Sequence, residues 1–249
     1  MSTLLWIVLF GTIGGLGAIL ISSLFLLFHE RLQKFLVPAL VSYATGTLLA
    51  SALLGLVHHA LEEVEAHDVL QLLLFGILGF FMLEKVVLWR HCHKHDCKVH
   101  DASAQMIIVG DAFHNFVDGV AIAAAFMTSV PVGIAVSLSV ILHEIPQELG
   151  DFAILLHNGF SKGKALFWNA LSSLASLLGA LLAYFSLSKI ENAVPYAMTL
   201  AAASFIYIAL VDLSPGLHKK TGFKSGMLQI ILILAGVATV FLTLHEHGW

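Results

Sequence analysis

The chain has 249 residues, of which 59% are hydrophobic and only 11% are charged, and its formal net charge is −4 at pH 7. A soluble globular domain carries roughly 25% charged residues, so this composition excludes an ordinary soluble domain and favours one membrane domain over residues 1–249. The negative charge argues against a nucleic-acid partner. The cysteines, Cys92 and Cys97, share one loop and do not form the pattern of a secreted disulfide framework.

Eight apolar runs approach the roughly 20 residues that a helix needs to cross the hydrocarbon core of a bilayer. The first run lacks the basic start and the small-residue cleavage site of a signal peptide, so we predict a helix there as well. The predicted helices 1 to 8 are Leu4–Phe28, Leu36–Leu61, Val69–Trp89, Ser103–Met127, Val130–His157, Lys164–Leu187, Ala193–Leu213 and Gly226–Leu244. The expected fold is therefore an all-α membrane protein with eight transmembrane helices.

The basic residues predict the orientation of these helices. We give each loop the number of the predicted helix that precedes it, from 1 to 7. Every Lys and Arg except Lys189 lies in or beside an odd-numbered loop. Because cytoplasmic loops carry an excess of Lys and Arg, we expect the odd-numbered loops in the cytoplasm and both termini outside. Loop 3, at about residues 90–102, contains four histidines and both cysteines and would then be cytoplasmic. It is either a loose metal-binding segment or a plain solvated loop.

Polar side chains interrupt the predicted helices 4 and 5, where each buried charge costs ~2.5–3.5 kcal/mol on insertion scales. They are Asp111, His114, Asn115 and Asp118 in helix 4, and His143, Glu144, Gln147, Glu148 and Asp151 in helix 5. The spacing places each set on or beside one face of its helix, near the middle of the membrane. Because these five carboxylates cannot all face lipid, we infer a shared interior site.

The chemistry of these side chains indicates a divalent metal ion. Imidazole, carboxylate and amide oxygen suit Zn²⁺, Fe²⁺, Mn²⁺ or Cd²⁺. The same groups would also fit a zinc enzyme or, without a metal, a proton relay. Pro146 removes an amide donor and frees the carbonyl of Leu142 in mid-helix, and kinked helices at the midplane are typical of transporters. We therefore favour a carrier that has no prosthetic group and binds the metal as its substrate.

Two stretches, His114–Phe126 (HNFVDGVAIAAAF) and His143–Leu156 (HEIPQELGDFAILL), closely resemble the ZIP (Zrt-, Irt-like protein) family of divalent metal transporters. The resemblance is greatest to the branch with an HExPHExGD pattern in helix 5. Weaker matches at Gly79–Lys85, Phe205–Pro215 and Leu56–Glu63 extend it over nearly the whole chain. The resemblance implies a ZIP-type bundle, outward termini, and zinc uptake into the cytoplasm by rigid-body sliding of one helix group against another.

The resemblance also implies a binuclear site between helices 4 and 5. The residues that resemble the ligands of one metal are His114, Asp118, His143 and Gln147, and those that resemble the ligands of its neighbour are Asn115, Asp118, Glu144 and Gln147. Asp118 and Gln147 fall at the bridging positions, and Asn169 of helix 6 falls near a further ligand position. Gln147 departs from the histidine that is usual in this branch, and a neutral amide is the weaker ligand.

Two rival functions fit the sequence less well. The segment from His143 to Gln147 (HEIPQ) lacks the second histidine of the HExxH zinc-protease motif, and Pro146 bends the turn that should align the two ligands. A membrane metal sensor would need an output domain, and no loop is long enough to be one. We therefore predict a non-enzymatic carrier in the plasma (inner) membrane, with divalent ions and the lipid bilayer as partners and a homodimer as a possible assembly.

Two further carboxylates lie near the cytoplasmic ends of predicted helices. Glu84 is at the end of helix 3 and Asp212 at the end of helix 7. We expect them to pair with Lys85 or Lys219, which lie nearby in the sequence.

Overall fold

The computed structural model describes residues 1–25, 27–89, 104–190, 192–219 and 222–245. This part of the chain contains eight helices that are long and apolar enough to cross a membrane, here named α1 to α8. Their segments are α1 (Thr3–Thr12, Ile13–Gly17, Ala18–Phe25), α2 (Glu30–Ala50, Ser51–Val57, His58–Glu63), α3 (Ala66–Trp89), α4 (Ala104–Thr128), α5 (Val130–His157), α6 (Lys162–Leu187), α7 (Ala193–Tyr207, Ile208–Leu213, Ser214–His218) and α8 (Phe223–His245). The predicted all-α membrane fold is confirmed.

Two predicted helix boundaries are wrong by more than a turn. Helix α2 begins at Glu30, because the ring nitrogen Nδ1 of His29 accepts a hydrogen bond from the amide of Leu32 at 3.4 Å and so caps the helix. Helix α7 continues to His218. Pro215 follows shortly after the π-helical turn Ile208–Leu213 and does not end the helix.

Three of the helices contain a π-helical turn. These turns are Ile13–Gly17 in α1, Ser51–Val57 in α2 and Ile208–Leu213 in α7. A π-helical turn re-aims the side chains on either side of it and is frequent at functional sites. The turn in α2 begins at Ser51, which contacts α5.

The closest helix packing joins α4 to α6 through a reciprocal pair of glycines. Gly119 of α4 lies against the carbonyl of Ser176, and Gly179 of α6 lies against the carbonyl of Phe116. A Cβ atom at either glycine would overlap the opposite carbonyl oxygen. Small residues allow such close approach, on which helix association in a bilayer depends. Helices α2 and α8 pack in the same way, through Gly46 and Gly236.

The helices form two groups. In one group α1 packs against α4, α5 and α6, and in the other α2 packs against α8 and α3 packs against α7. The groups meet where α4 contacts α7 and where α5 contacts α2 and α8. Because α4 and α5 carry the polar stripes, the candidate site lies next to the boundary between the groups.

Candidate metal centre

The polar faces of α4 and α5 meet, as the sequence predicts. The ring nitrogens Nε2 of His114 and His143 are 3.1 Å apart, although the residues are 29 positions apart in the sequence. The Oδ2 atom of Asp118 lies 3.1 Å from Nε2 of His143 and 3.6 Å from Nε2 of His114. The Oε1 atom of Glu144 lies 3.2 Å from Nε2 of His114 and 3.7 Å from Nε2 of His143.

We call His114, Asp118, His143 and Glu144 the histidine cluster. One candidate ligand atom from each residue lies within 4.8 Å of all the others. Four ligands at ~2.1 Å around a tetrahedral Zn²⁺ are separated by about 3.4 Å, and the five distances that involve a histidine nitrogen, 3.1–3.7 Å, match that separation. The cluster could therefore hold a divalent metal ion with little movement of its side chains.

The burial and hydrogen bonding of the histidine cluster favour a bound cation. Asp118, His143 and Glu144 are completely buried. Among the described residues, the carboxylate oxygens of Asp118 and Glu144 accept no hydrogen bond, although the histidine nitrogens lie as close as 3.1 Å and 3.2 Å to them. Buried polar oxygens are costly unless a proton donor or a cation satisfies them. A metal ion among these oxygens would satisfy them together.

His143 is oriented by its own helix. Its Nδ1 atom lies 2.9 Å from the backbone carbonyl of Ser139, one turn earlier. A carbonyl can only accept, so Nδ1 carries a proton, and in the neutral ring Nε2 then presents its lone pair to the cluster. This is how metal-binding histidines are usually held.

A second group of carboxylates lies beside the first, and we call Asp111, Glu144 and Glu148 the carboxylate cluster. One oxygen from each lies within 4.8 Å of the others. Helix α6 contacts this cluster through two hydroxyls: Ser172 donates to Oδ2 of Asp111, and Ser173 donates to Oε1 of Glu148 at 2.6 Å. Asp111 and Glu148 belong to the predicted polar stripes, but the sequence did not predict them as ligands.

The serines of α6 were missed at the sequence level. Ser172, Ser173 and Ser176 are buried, and Asn169 precedes them by one turn. This polar face on an apolar helix is the sequence signal that could have indicated that α6 also contacts the site.

The three predicted amide ligands lie beside the two clusters. Asn115 is buried, donates to Oδ1 of Asp111 at 2.9 Å, and its own Oδ1 has no hydrogen-bond partner among the described residues. Asn169 is also buried, and its amide donates to the backbone carbonyl of Glu148 at 3.4 Å. Gln147 lines a cavity together with His114 and Asp111. Metal binding by these amides stays a prediction.

This cavity has a volume of about 1000 Å³ and reaches His114 from one side of the bundle. Its wall includes Val37 near the start of α2, Ile107 near the start of α4, and Ile154 and Gly216 near the ends of α5 and α7. All of these helix ends adjoin odd-numbered loops. The cavity therefore leads from the histidine cluster toward the side of the odd-numbered loops.

The expected pairing of Glu84 with Lys85 is wrong. The hydroxyl of Tyr207 on α7 donates to Oε2 of Glu84, and the Lys85 ammonium lies 5.5 Å from the centre of the Phe81 ring. Both Glu84 and Asp212 line the cavity.

The histidine- and cysteine-rich loop, with Cys92 and Cys97, lies outside the described residues.

Fold and site together define an integral membrane protein with a buried side-chain cluster that could hold a metal ion. Comparison with known proteins identifies the family: residues 90–244 match the family model described as ZIP Zinc transporter. The chain therefore belongs to the ZIP zinc transporter family. Membership confirms the ZIP-type bundle and the prediction that the protein is not an enzyme.

Individual relatives match the chain over shorter stretches. It is 41% identical over 150 residues to the zinc transporter foi of Drosophila melanogaster. The aligned stretch covers 59% of this chain and 21% of the relative. It is 36% identical over 142 residues to the zinc transporter ZIP13 of Danio rerio, covering 56% of this chain and 41% of the relative. The match to human zinc transporter ZIP4 is 40% identical over 144 residues, 57% of this chain and 22% of the relative. The chain thus covers less than half the length of these relatives.

Proposed function

We propose that this chain is a divalent metal-ion carrier of one transmembrane domain, with Zn²⁺ as its first substrate and transport directed into the cytoplasm. The observation that carries the proposal is the histidine cluster, in which four ligand atoms within 4.8 Å of one another include carboxylate oxygens without hydrogen-bond partners. Membership of a zinc transporter family supports the same substrate. Fe²⁺, Mn²⁺ and Cd²⁺ are further substrates that this set of ligands would accept.

The charges of the histidine cluster suit a doubly charged ion. Asp118 and Glu144 supply two negative charges, and neutral His114 and His143 supply nitrogen atoms without adding charge. A divalent ion bound there would form a neutral assembly, which lowers the cost of holding charge inside a membrane. The two imidazoles favour zinc over harder ions, since nitrogen suits zinc whereas magnesium and calcium prefer oxygen.

The cavity supports the proposed direction of transport. Four carboxylates line it between the histidine cluster and the side of the odd-numbered loops: Asp111, Asp151, Glu84 and Asp212. A cavity lined by one sign of charge attracts and guides the opposite ion. The basic residues predict that this side is cytoplasmic, so we infer an inward-open conformation. Access from outside would require the group of α1, α4, α5 and α6 to move relative to the other group.

The location in the plasma (inner) membrane, outward termini, the HExPHExGD branch and a homodimer are also part of the proposal. The metal ligands we propose are His114, Asp118, His143 and Glu144, with Asn115, Gln147 and Asn169 as further contacts. Asn115 has the stronger support of these amides, because its Oδ1 atom is buried without a partner among the described residues.

Zinc uptake into proteoliposomes that contain the purified chain tests the proposal. We expect saturable uptake by the wild type and a loss of at least tenfold in His143→Ala and Asp118→Asn, since each variant removes a ligand from a buried site. His157→Ala is the matched control, because His157 lies at the exposed end of the same helix. Uptake by His143→Ala and Asp118→Asn that equals the control would overturn the assignment, and no saturable flux for any divalent ion would overturn the function.

A further inference from the structure

We propose that a surface pocket between α4 and α6 binds an anionic phospholipid, with the lipid phosphate on the ammonium of Lys164 and a segment of one lipid chain against the apolar wall. This pocket, which we call the lysine pocket, is lined by Ile108, Val109, Phe160, Lys164 and Trp168 and has a volume of about 350 Å³. Small-molecule sites have volumes of ~300–1,000 Å³, so the pocket can hold part of a lipid molecule. The proposal does not depend on metal transport.

The turn between α5 and α6 holds the apolar wall of the lysine pocket in place. Gly159 has a positive φ of 84°, and the amide of Phe160 donates to the carbonyl of Leu155 at 3.1 Å, which together close the end of α5. Leu155 is completely buried, and both Phe160 and Ile108 pack against the small hydrophobic cluster to which it belongs. The wall of the pocket is therefore formed by the packing of the protein itself.

Lys164 supplies the positive charge of the lysine pocket. Its amide donates to Oγ of Ser161 at 3.4 Å, and its ammonium lies 4.5 Å from the centre of the Phe160 ring. In the described part of the chain neither Lys164 nor Lys162 forms an ion pair, and the first turn of α6 contains no acidic residue. A lipid phosphate would supply the missing negative charge beside an apolar surface that fits the lipid chain.

The depth of the lysine pocket favours a lipid over a soluble anion. Ile108 lies near the start of α4 and Lys164 near the start of α6, and both starts adjoin odd-numbered loops. Trp168 lies one helical turn further into the membrane than Lys164. A lysine that reaches water above an aromatic ring at headgroup level is typical of a membrane interface. The basic residues predict that this side is cytoplasmic, where anionic lipids attract lysine and arginine.

The lysine pocket adjoins the metal cavity without being part of it. Val109 lines both. The other lining residues belong to α4, to α6 and to the turn that precedes α6, so the whole pocket lies on one of the two helix groups. A lipid bound there would contact this group alone and would remain with it when the groups move relative to each other.

Quenching of Trp168 fluorescence tests the proposal on the full chain in nanodiscs. Trp6→Phe, Trp89→Phe and Trp249→Phe leave Trp168 as the reporter, because the chain has four tryptophans. Phosphatidylglycerol with brominated chains quenches a nearby indole, and brominated phosphatidylcholine measures the contacts of bulk lipid. A lysine at an anionic membrane surface contributes a factor of about five in affinity, so phosphatidylglycerol should reach half-maximal quenching at about a fivefold lower fraction than phosphatidylcholine. Equal quenching by the two lipids would overturn the proposal.

Two charge variants identify the lysine that binds the lipid. Lys164→Gln should abolish the preference for phosphatidylglycerol. Lys162→Gln is the matched control, because it removes the same charge from another exposed position of the first turn of α6 but does not line the pocket. We expect this control to keep the preference. An equal loss in both variants would show attraction by the general surface charge and would overturn the site.

Two further measurements complete the test. Inorganic phosphate, compared with chloride at the same ionic strength, should leave the preference unchanged because it has no chain to occupy the apolar wall. A preference abolished by phosphate would mean that the pocket binds free anions rather than a lipid. Native mass spectrometry of the chain with its own tryptophans decides the matter should the reporter variant fold poorly. Lys164→Gln should then retain fewer phosphatidylglycerol molecules than Lys162→Gln, and equal numbers would overturn the proposal.

Discussion

Ser51 of α2 and Ser139 of α5 share a hydrogen bond of 2.7 Å across the boundary between the two helix groups. Both side chains are completely buried. The backbone carbonyl of Ser139 also contacts Nδ1 of His143 at 2.9 Å. The boundary between the groups is therefore linked, through one residue, to the orientation of a histidine in the metal site. A hydrogen bond at this place stabilises the conformation that the structure describes.

Replacing Ser51 by alanine should destabilise this conformation. The Ser139 hydroxyl would still have a hydrogen bond after this change, because it also donates to the carbonyl of Ala135 at 3.0 Å. A hydrogen bond contributes ~0.5–1.5 kcal/mol, so the ratio of the described conformation to other conformations should fall by about two- to tenfold. A cysteine at Gly216, which lines the cavity and has free space for a side chain, reports on cavity access by its labelling rate when Cys92 and Cys97 are serine.

A double-mutant cycle completes that experiment: Ser139→Ala is measured alone and combined with Ser51→Ala. If the two serines act through their shared hydrogen bond, the double variant should resemble Ser51→Ala rather than show the sum of both effects. Labelling of the Gly216→Cys reporter that does not respond to Ser51→Ala would show that the hydrogen bond does not bias the conformations.

Valine at Gly119 should prevent normal packing of α4 on α6. Its Cβ atom would overlap the carbonyl of Ser176, and overpacked side chains cost ~1–3 kcal/mol. We expect a lower thermal unfolding temperature and a lower yield of monodisperse protein. Gly110→Val is the control on the same helix, because a Cβ atom at Gly110 would have no neighbour within 4 Å. Equal stability of the two variants would contradict the close contact.

The proposed orientation of the chain predicts that Cys92 and Cys97 face the cytoplasm. A membrane-impermeant thiol reagent applied to intact cells should leave both cysteines unlabelled and should label them after permeabilisation. Glu65→Cys, in the loop between α2 and α3, is the control that should react in intact cells. Strong labelling of the native cysteines before permeabilisation would contradict the proposed orientation and, with it, the proposed direction of transport.

The sequence predicts most of the fold because the membrane limits the alternatives. Charged side chains cannot face lipid, so the stripes of α4 and α5 had to meet, and His114 and His143 do meet at 3.1 Å. Hydropathy does not show in the same way that Glu144 belongs to both clusters and Glu148 to the carboxylate cluster alone. The positions of these side chains depend on the rotation of α5 against α4 and α6, which helix packing determines.

Other features have only a weak signal in the sequence. Buried serines such as Ser172 and Ser173 are common in membrane helices, where they often bond to their own backbone, so their contacts with carboxylates are not evident. The π-helical turn that begins at Ser51 has no marker such as proline. Both features depend on packing between different helices.

Gln147 lines the cavity beside His114, at the position where the resembled branch has histidine. Its amide offers a neutral oxygen, which is a hard but weak ligand. A histidine there would add a nitrogen donor next to the histidine cluster, and nitrogen favours Zn²⁺ over Mn²⁺. We predict that Gln147→His raises the affinity for zinc and narrows the range of metals that the protein carries. Turnover should fall, because a more tightly bound ion leaves more slowly.

Competition between zinc and manganese in proteoliposome uptake measures this change. The control is Gln71→His, which introduces the same side chain at an exposed position of α3 far along the chain from both clusters. A rise in the zinc preference of Gln147→His alone would identify Gln147 as a contact of the transported ion. An unchanged preference would mean that the residue lines the cavity without touching the metal, and that His114, Asp118, His143 and Glu144 set the selectivity without it.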